Sequence, residues 1–415
     1  MFIEECFMGK LRIIVVCCFL FVAYVRSQPS FLLKELRSLG FENLSSGNGK
    51  TYDWFAFEDR VHRNTYQGLG DAVQLLLDDR SIERDVAFIL LENNIPQIKA
   101  VVPYKLVLSC RNGLISIQDV FKGMAITYDT DNYRQGGEKG LTYNHSAGKI
   151  DLVFYPQLLL ANYRLDVLYV VALDLAPAVK MQLWPGAKFT GQVIFPLYNN
   201  LKGQVDYIRP GILALSQSFR LHDNVFGSLS AGNFNANRMG VDASLRYRTN
   251  NGRFSIGVNA GVTGSSTFYD HRWQVSNWNR MNYFGMVSYY EPHYNMEFDL
   301  QAGQYIYGDK GIRMDCTRHF GEVSVGVFAM YVGDLVNGGF NFAISLPGRK
   351  RRRPKHFPVR FMLPEYFDWE YQAQASPEYQ ERRLGQVYEV RPDENHSSRF
   401  YNPDYIKYNL IHFQR

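Results

Sequence analysis

The chain has 415 residues, of which 20% are charged and 15% aromatic, with 28 Tyr and 29 Phe, and its net charge is +5. This length allows one large domain or two ordinary ones, and the composition excludes a globally disordered chain. No domain-sized basic region and no nucleic-acid-binding motif is present, so nucleic acid is excluded as a partner.

At the N-terminus, Lys10 and Arg12 precede an apolar run from Ile13 to Val25. As a helix this run is about 20 Å long, short of the roughly 20 residues that span a bilayer. With Val25-Arg26-Ser27-Gln28 after it, residues 1–27 read as a secretory signal peptide cut near Ser27, with Met8 as a candidate start. The alternative is a buried core helix. Cys17 and Cys18 sit inside the apolar run, not at its end, which speaks against a lipobox. After cleavage only Cys110 and Cys316 remain, and two distant cysteines make no disulfide framework.

Residues 28–125 carry mixed signals for a small α/β domain. Phe31 to Leu36 and Gly70 to Asp79 have helical spacing, the first ending at Gly40. Trp54–Phe57, Val86–Leu91 and Lys105–Leu108 read as strands.

Between residues 140 and 348 the character changes to consecutive alternating segments. Twelve strands are expected: near 150–160, 164–174, 186–197, 209–220, 224–233, 239–249, 252–264, 282–291, 294–307, 311–320, 322–332 and 338–346. In one of them Val241, Ala243, Leu245 and Tyr247 alternate with Asp242, Ser244, Arg246 and Arg248, and Asn250-Asn251-Gly252 supplies a hairpin turn. In "FDLQAGQYIYGDKGIRMDCTRHF", residues 298–320, two alternating strands are expected to meet at Asp309-Lys310-Gly311. Such alternation fits a soluble sandwich with its apolar face inward or an outer-membrane barrel with its apolar face on lipid. Sandwich strands cluster near five or six residues, whereas membrane strands need about 9 to 11. The barrel is favoured, since these segments are long. The long connections near 198–208, 234–238, 265–281, 308–310 and 333–337 fall on one side. The tight ones at 221–223, 250–251, 292–293 and 321 fall on the other, with both barrel ends. This places both the α/β domain and the tail in the periplasm; only the long connection at 175–185 fits less well.

Residues 349–355, Arg-Lys-Arg-Arg-Arg-Pro-Lys, read as a solvated basic hinge or, more sharply, as a contact for lipid phosphate or an anionic partner. The rest of 349–415 is a polar tail, loop-rich over 364–399, with Tyr405–Phe413 as a short strand.

The blocks "GAKFTGQVIFPLYNNL", "IRPGILALSQSFRL", "GSLSAGNFNANRMGVDASLRYRTNNGRFSIGVNAGV", "AGQYIYGDKGIRMDCTRHF" and "GGFNFAISLP" resemble the YjbH family of exopolysaccharide-associated outer-membrane proteins, over about residues 140–347. The segment before the strands resembles a region of that family too. The resemblance implies an outer-membrane β-barrel serving polysaccharide secretion, with other polysaccharide-export proteins of the periplasm or outer membrane as partners beside the polysaccharide and outer-membrane lipid. It implies that some members carry two barrels, where this chain has one.

On the barrel reading, Glu297, Asp299, Gln301, Tyr305, Tyr307, Arg313, Asp315 and His319 face the lumen, joined by Asp242, Arg246 and Arg248. Interleaved acids, arginines and tyrosines suit weak, sliding contacts with a hydrated sugar chain. They equally suit a plugged structural barrel, anchoring a periplasmic docking domain, whose charges pair with one another. Glu297, Asp299, Asp309 and Asp315 offer carboxylates for glycoside cleavage. There is, however, no His-Glu-x-x-His, Gly-x-Ser-x-Gly or Walker loop. A non-enzyme without catalytic residues, metal or cofactor is expected.

Overall fold

The computed structural model describes residues 30–130, 133, 143–161, 170–200, 206–269, 271–354, 357–373, 379, 381–393 and 401–413. The expected signal peptide lies outside them. Within them the chain is mainly β, with two large sheets.

The first sheet is built from β1 (Glu42–Asn48), β2 (Tyr52–Glu58), β3 (Asp85–Glu92), β4 (Ile95–Val102) and β5 (Ala125–Thr127), in that spatial order. The β2/β3 pair is parallel, and a crossover helix α2 (Thr65–Asp78) joins them. Helix α1 (Phe31–Leu39) starts at Ser30, whose side chain accepts from the Leu33 amide, and stops at Gly40, left-handed with φ 100°. That is the glycine exit expected of a helix C-terminus. The run Lys105–Leu108, expected as a strand, is instead in helix α3 (Tyr104–Arg111). Four apolar-leaning residues cannot distinguish the two periods; Pro103 at the cap and Asp85, accepting from the Tyr104 amide at 2.7 Å, start the helix. Helix α4 (Ile117–Gly123) follows, with a Ser116/Asp119 capping box.

The second sheet holds fifteen strands. The twelve expected segments are present as β6 (Ile150–Ala161), β7 (Val170–Gln182), β8 (Ala187–Asn199), β9 (Arg209–His222), β10 (Val225–Phe234), β11 (Arg238–Arg248), β12 (Phe254–Tyr269), β14 (Arg280–Glu291), β15 (Met296–Gln304), β16 (Lys310–Phe320), β17 (Val323–Val332) and β18 (Leu335–Ser345), each antiparallel to the next. Several boundaries move. The second strand ends at Gln182, so the 175–185 connection shrinks to a short turn. Pro177 sits in the strand opposite Phe154, where the β7/β8 ladder skips. The expected loop 265–281 is largely strand: β12 runs to Tyr269, and β13 (Arg272–Val275) folds back on it. The β15/β16 turn spans 305–309, so Tyr305 and Tyr307 lie off the strand and Lys310 begins the next one.

The tail departs furthest from expectation. Residues 366–373 form β20 (Tyr366–Ala373) rather than loop, antiparallel to β18, and the preceding β19 (Val359–Met362) runs parallel to β6. One short stretch thus serves both edges of the large sheet, and Trp369 donates from Nε1 to the Leu158 carbonyl of β6 at 3.1 Å. Among the described residues no ladder closes the path. Residues 405–413, expected as a strand, lie in helix α5 (Pro403–His412) apart from its C-cap Phe413. Asn402 caps it and Pro403 fills N1, while Tyr405, Ile406, Asn409 and Leu410 are buried at helical spacing.

Helix α5 completes the α/β core: Tyr405, Ile406 and Leu410 join Leu36, Phe57, Leu69 and Phe88 in one cluster, together with Tyr290 of the large sheet. The α/β unit sits at the tight-turn end of that sheet. Arg63 pairs with Glu322 at 2.8 Å, the Gly186 amide donates to the Asn93 carbonyl, and Arg220 reaches the Pro96 carbonyl and Thr130. The basic run is only partly solvated. Arg349, Lys350 and Arg352 are exposed, but Arg351 is buried; Arg353, half-buried, pairs with Glu42 at 3.1 Å and Asp151 at 2.6 Å, and Lys350 with Asp71 at 2.9 Å. Acids of both units neutralise it, which sequence distance hid.

Candidate functional site

The alternation of the large sheet is inside-out relative to a soluble protein. Ile256, Val258, Ile312, Met314, Val325, Val327 and Tyr331 are each about half exposed or more, whereas Asp242, Thr263, Ser288, Thr317 and His319 are buried. A period-2 strand places neighbours on opposite faces, so one face is apolar and bare while the other is polar and covered.

The sequence-derived site residues all lie on β11, β15, β16 or the β15/β16 turn, in three groups. At the α/β end, Arg246, Arg248 and Glu297 line a cavity of about 30 Å³ with Ser255, Ser288, Tyr128 and Asn402. That is room for about one water, far below the roughly 300–1,000 Å³ of small-molecule sites. Arg248 stacks on Phe226 at 4.7 Å. His319 Nε2 lies 3.4 Å from Glu297 Oε2, and its ring meets Tyr405 edge-on at 5.5 Å. In the middle, Arg313 holds Asp315 with two bonds of 2.8 and 2.9 Å and also Glu370 of β20, over the Phe328 ring at 4.0 Å. Asp299 accepts from Ser288, and Gln301 is opposite Arg313. Asp242 accepts from Asn259 and from Tyr388 Oη, both at 2.9 Å. At the far end, Tyr305 is buried against Phe284, and Tyr307 stacks with Arg280 and Arg383.

What covers the polar face is the chain's own tail. Beyond β20, the Gly385 amide donates to Asp309 and Tyr379 packs with Met330 and Leu384 at the far end. The Glu389 amide donates to Asn235, Tyr388 stacks on Phe234 at 5.2 Å, and Val390 packs on Ile212 and Ala214. Asp393 reaches Lys180 at 2.7 Å and Lys188 at 3.9 Å. Tyr401 then donates to the Leu91 carbonyl in the α/β unit. The tail therefore crosses the polar face from end to end.

Sequence reasoning missed Lys180, Lys188, Tyr388, Asp393 and Asp151. The two lysines leave a signal, as polar positions alternating with Val179 and Met181 on β7 and with Ala187 and Phe189 on β8. Asp393 leaves none, because its partner lies 213 residues away. Asp151 binds Arg60, Arg353 and Arg360 together. Glu92, at the β3/β4 turn, sits near Lys188 and Arg391; burial pushes its carboxyl up, against the pull of those cations.

A family model described as exopolysaccharide biosynthesis protein YbjH matches residues 79–341, from the end of α2 into β18. The chain belongs to this YjbH family. The match takes in the later part of the α/β unit and nearly all the long strands, so it covers the strands that carry the sequence-derived site residues, whereas β19, β20 and the tail lie beyond it. It supports a role in exopolysaccharide biosynthesis. No curated protein matches the chain, and no described helix is long and apolar enough to cross a membrane, which leaves strand-based crossing open.

Proposed function

We propose that this YjbH-family chain is a cleaved outer-membrane β-barrel taking part in exopolysaccharide or capsule export, with its α/β domain on the periplasmic side and a lumen offering weak sugar contacts. The observation that carries this reading is the bare apolar face of strands 9 to 16 residues long. In water such a face is a large unsatisfied patch; in a bilayer it is the expected exterior. The β19–β20 stretch, which serves both edges of the sheet, supports closure. The polar-lined interior supports hydrated cargo, and the family supports a polysaccharide. Cell-envelope and export partners follow from the same reading, as does the absence of a catalytic role.

A second reading has its own observation. The tail lying across the polar face favours a plugged barrel that anchors a periplasmic docking domain. The mature protein, refolded into planar bilayers, separates the two. Steady conductance that added oligosaccharide partly blocks supports the passage. A folded, inserted and silent protein moves the export role to the α/β domain. Recovery in the soluble periplasmic fraction overturns both. New reducing ends released from its own polysaccharide would overturn the non-enzymatic assignment.

A further inference from the structure

Lys180 and Lys188 lie on neighbouring strands, one rung apart diagonally, since Lys180 is opposite Thr190 and Gln182 opposite Lys188. Their side chains keep only 9% and 16% of their surface exposed, on the polar face. Two ammonium groups this close and this sheltered need an anion, because desolvated like charges repel at low dielectric. Asp151, directly across from Lys180, is already held by Arg60, Arg353 and Arg360. Glu92 of the α/β unit is near Lys188, and burial pushes its carboxyl up. The carboxylate that reaches the lysines is Asp393, on the non-strand segment of the tail, and 42% of that side chain remains open to water.

The geometry points to Lys180 and Lys188 as a carboxylate-binding subsite for an acidic polysaccharide, held by the Asp393 carboxylate of the chain's own tail until a uronate-like group displaces it. This rests on the reading of the polar face as an export path. The physical reason for acidic selectivity is charge exchange. A neutral sugar that pushed the tail aside would leave two sheltered ammonium groups without an anion. A carboxylated one replaces the lost ion pairs with its own. The tail already shows what the path accepts: an aromatic ring stacked on Phe234, an acid bonded by Asn235 at 3.0 Å, and a carboxylate on the lysines.

The test uses the full mature protein in detergent, titrated calorimetrically with oligogalacturonate and, separately, with maltohexaose. Asp393→Asn, which weakens the internal competitor, is expected to tighten oligogalacturonate binding about tenfold, the size of one charged hydrogen bond, and to leave maltohexaose unchanged. Adding Lys180→Gln and Lys188→Gln should abolish the gain, while the two Lys→Arg changes should keep it. Gly261→Leu, which crowds the tail without touching the lysines, should reproduce the gain if Asp393→Asn fails to fold. Equal response to both sugars, or no change with native near-ultraviolet circular dichroism, overturns the subsite. Bilayer conductance of the same preparations keeps the two readings apart. Channels without lysine-dependent acid preference overturn the subsite alone. Lysine-dependent binding without insertion supports the subsite and overturns the barrel.

Discussion

Gly261 shows how one residue on the polar face decides what lies across it. A Cβ added there would stand 1.8 Å from Tyr388 Oη and about 3 Å from Asn282 and Asp242. The strand has room for the tail only because this position has no side chain. Gly261→Leu should therefore displace Tyr388 and break its bond to Asp242 while the β11/β12 ladder survives. Limited proteolysis checks it: cleavage within 379–393 should become at least several-fold faster, with strand-derived circular dichroism unchanged. A second residue reads out pH. His62 is buried, with Nδ1 2.9 Å from Asp59 and Nε2 3.2 Å from Asp71, which also binds Lys350. Burial opposes its charge, but the two carboxylates outweigh it and push it up to about 9, while His62 and Lys350 outweigh burial at Asp71 and bring that carboxyl down to about 2. The folded pKa lies above the unfolded value near 6.5. The stabilisation is thus complete below about pH 6.5 and lost as pH rises through about 9, for a total of about 3 kcal/mol at most. His62→Gln should flatten the loss of melting temperature between pH 6.5 and 9 relative to the parent; an unchanged slope would remove His62 from the account.

At the scale of elements, the basic run 349–354 acts as a strap. Its backbone meets the α/β unit, with the Arg351 amide bonded to the Val61 carbonyl and a bridge between His62 and Lys350. Arg353 of the run and Arg360 of β19 converge, together with Arg60, on Asp151 at the start of β6. This cluster fastens the strand that serves both edges of the sheet to the first strand and to the α/β unit at once. Asp151→Asn leaves Arg60, Arg353 and Arg360 sharing a buried site without its carboxylate, so it should cost about 3–5 kcal/mol. Differential scanning calorimetry in detergent checks the magnitude. Hydrogen exchange should place the loosening at β19 and β6 rather than at β14–β16, and a uniform change would contradict the strap.

At the scale of the whole molecule, stability depends on which face of the large sheet meets the surroundings. Val327 is mid-strand in β17 and 59% exposed. If that face meets lipid, Val327→Arg should lower stability in bilayers by about 2–4 kcal/mol, the depth-dependent cost of a midplane cation on a barrel exterior. It should cost almost nothing if the face meets water. Unfolding titrations in liposomes measure it.

The twelve long strands and their alternation were legible in the sequence because a two-residue period is a local property: Val241/Leu245/Tyr247 against Asp242/Arg246/Arg248 needs no partner to be read, whereas the short strands β13, β19 and β20 were not. Family membership was legible for a related reason, as short ordered blocks around turns and glycines carry it. The helices at 104–111 and 403–412 were not, since short apolar or aromatic runs fit both periods and a cap or a core contact decides between them. Charge pairing was invisible as well. Lys350 and Arg353 of the basic run looked unpaired because Glu42, Asp71 and Asp151 lie some 200 to 310 residues away along the chain. By itself the sequence determined long alternating strands with one apolar and one polar face, a small α/β unit before them and a polysaccharide-linked family. Only the tertiary structure decided that the tail crosses the polar face, that Asp393 meets Lys180 and Lys188, and that one short stretch serves both edges of the sheet. Periodicity is written residue by residue, but which distant charges neutralise one another depends on the path of the folded chain.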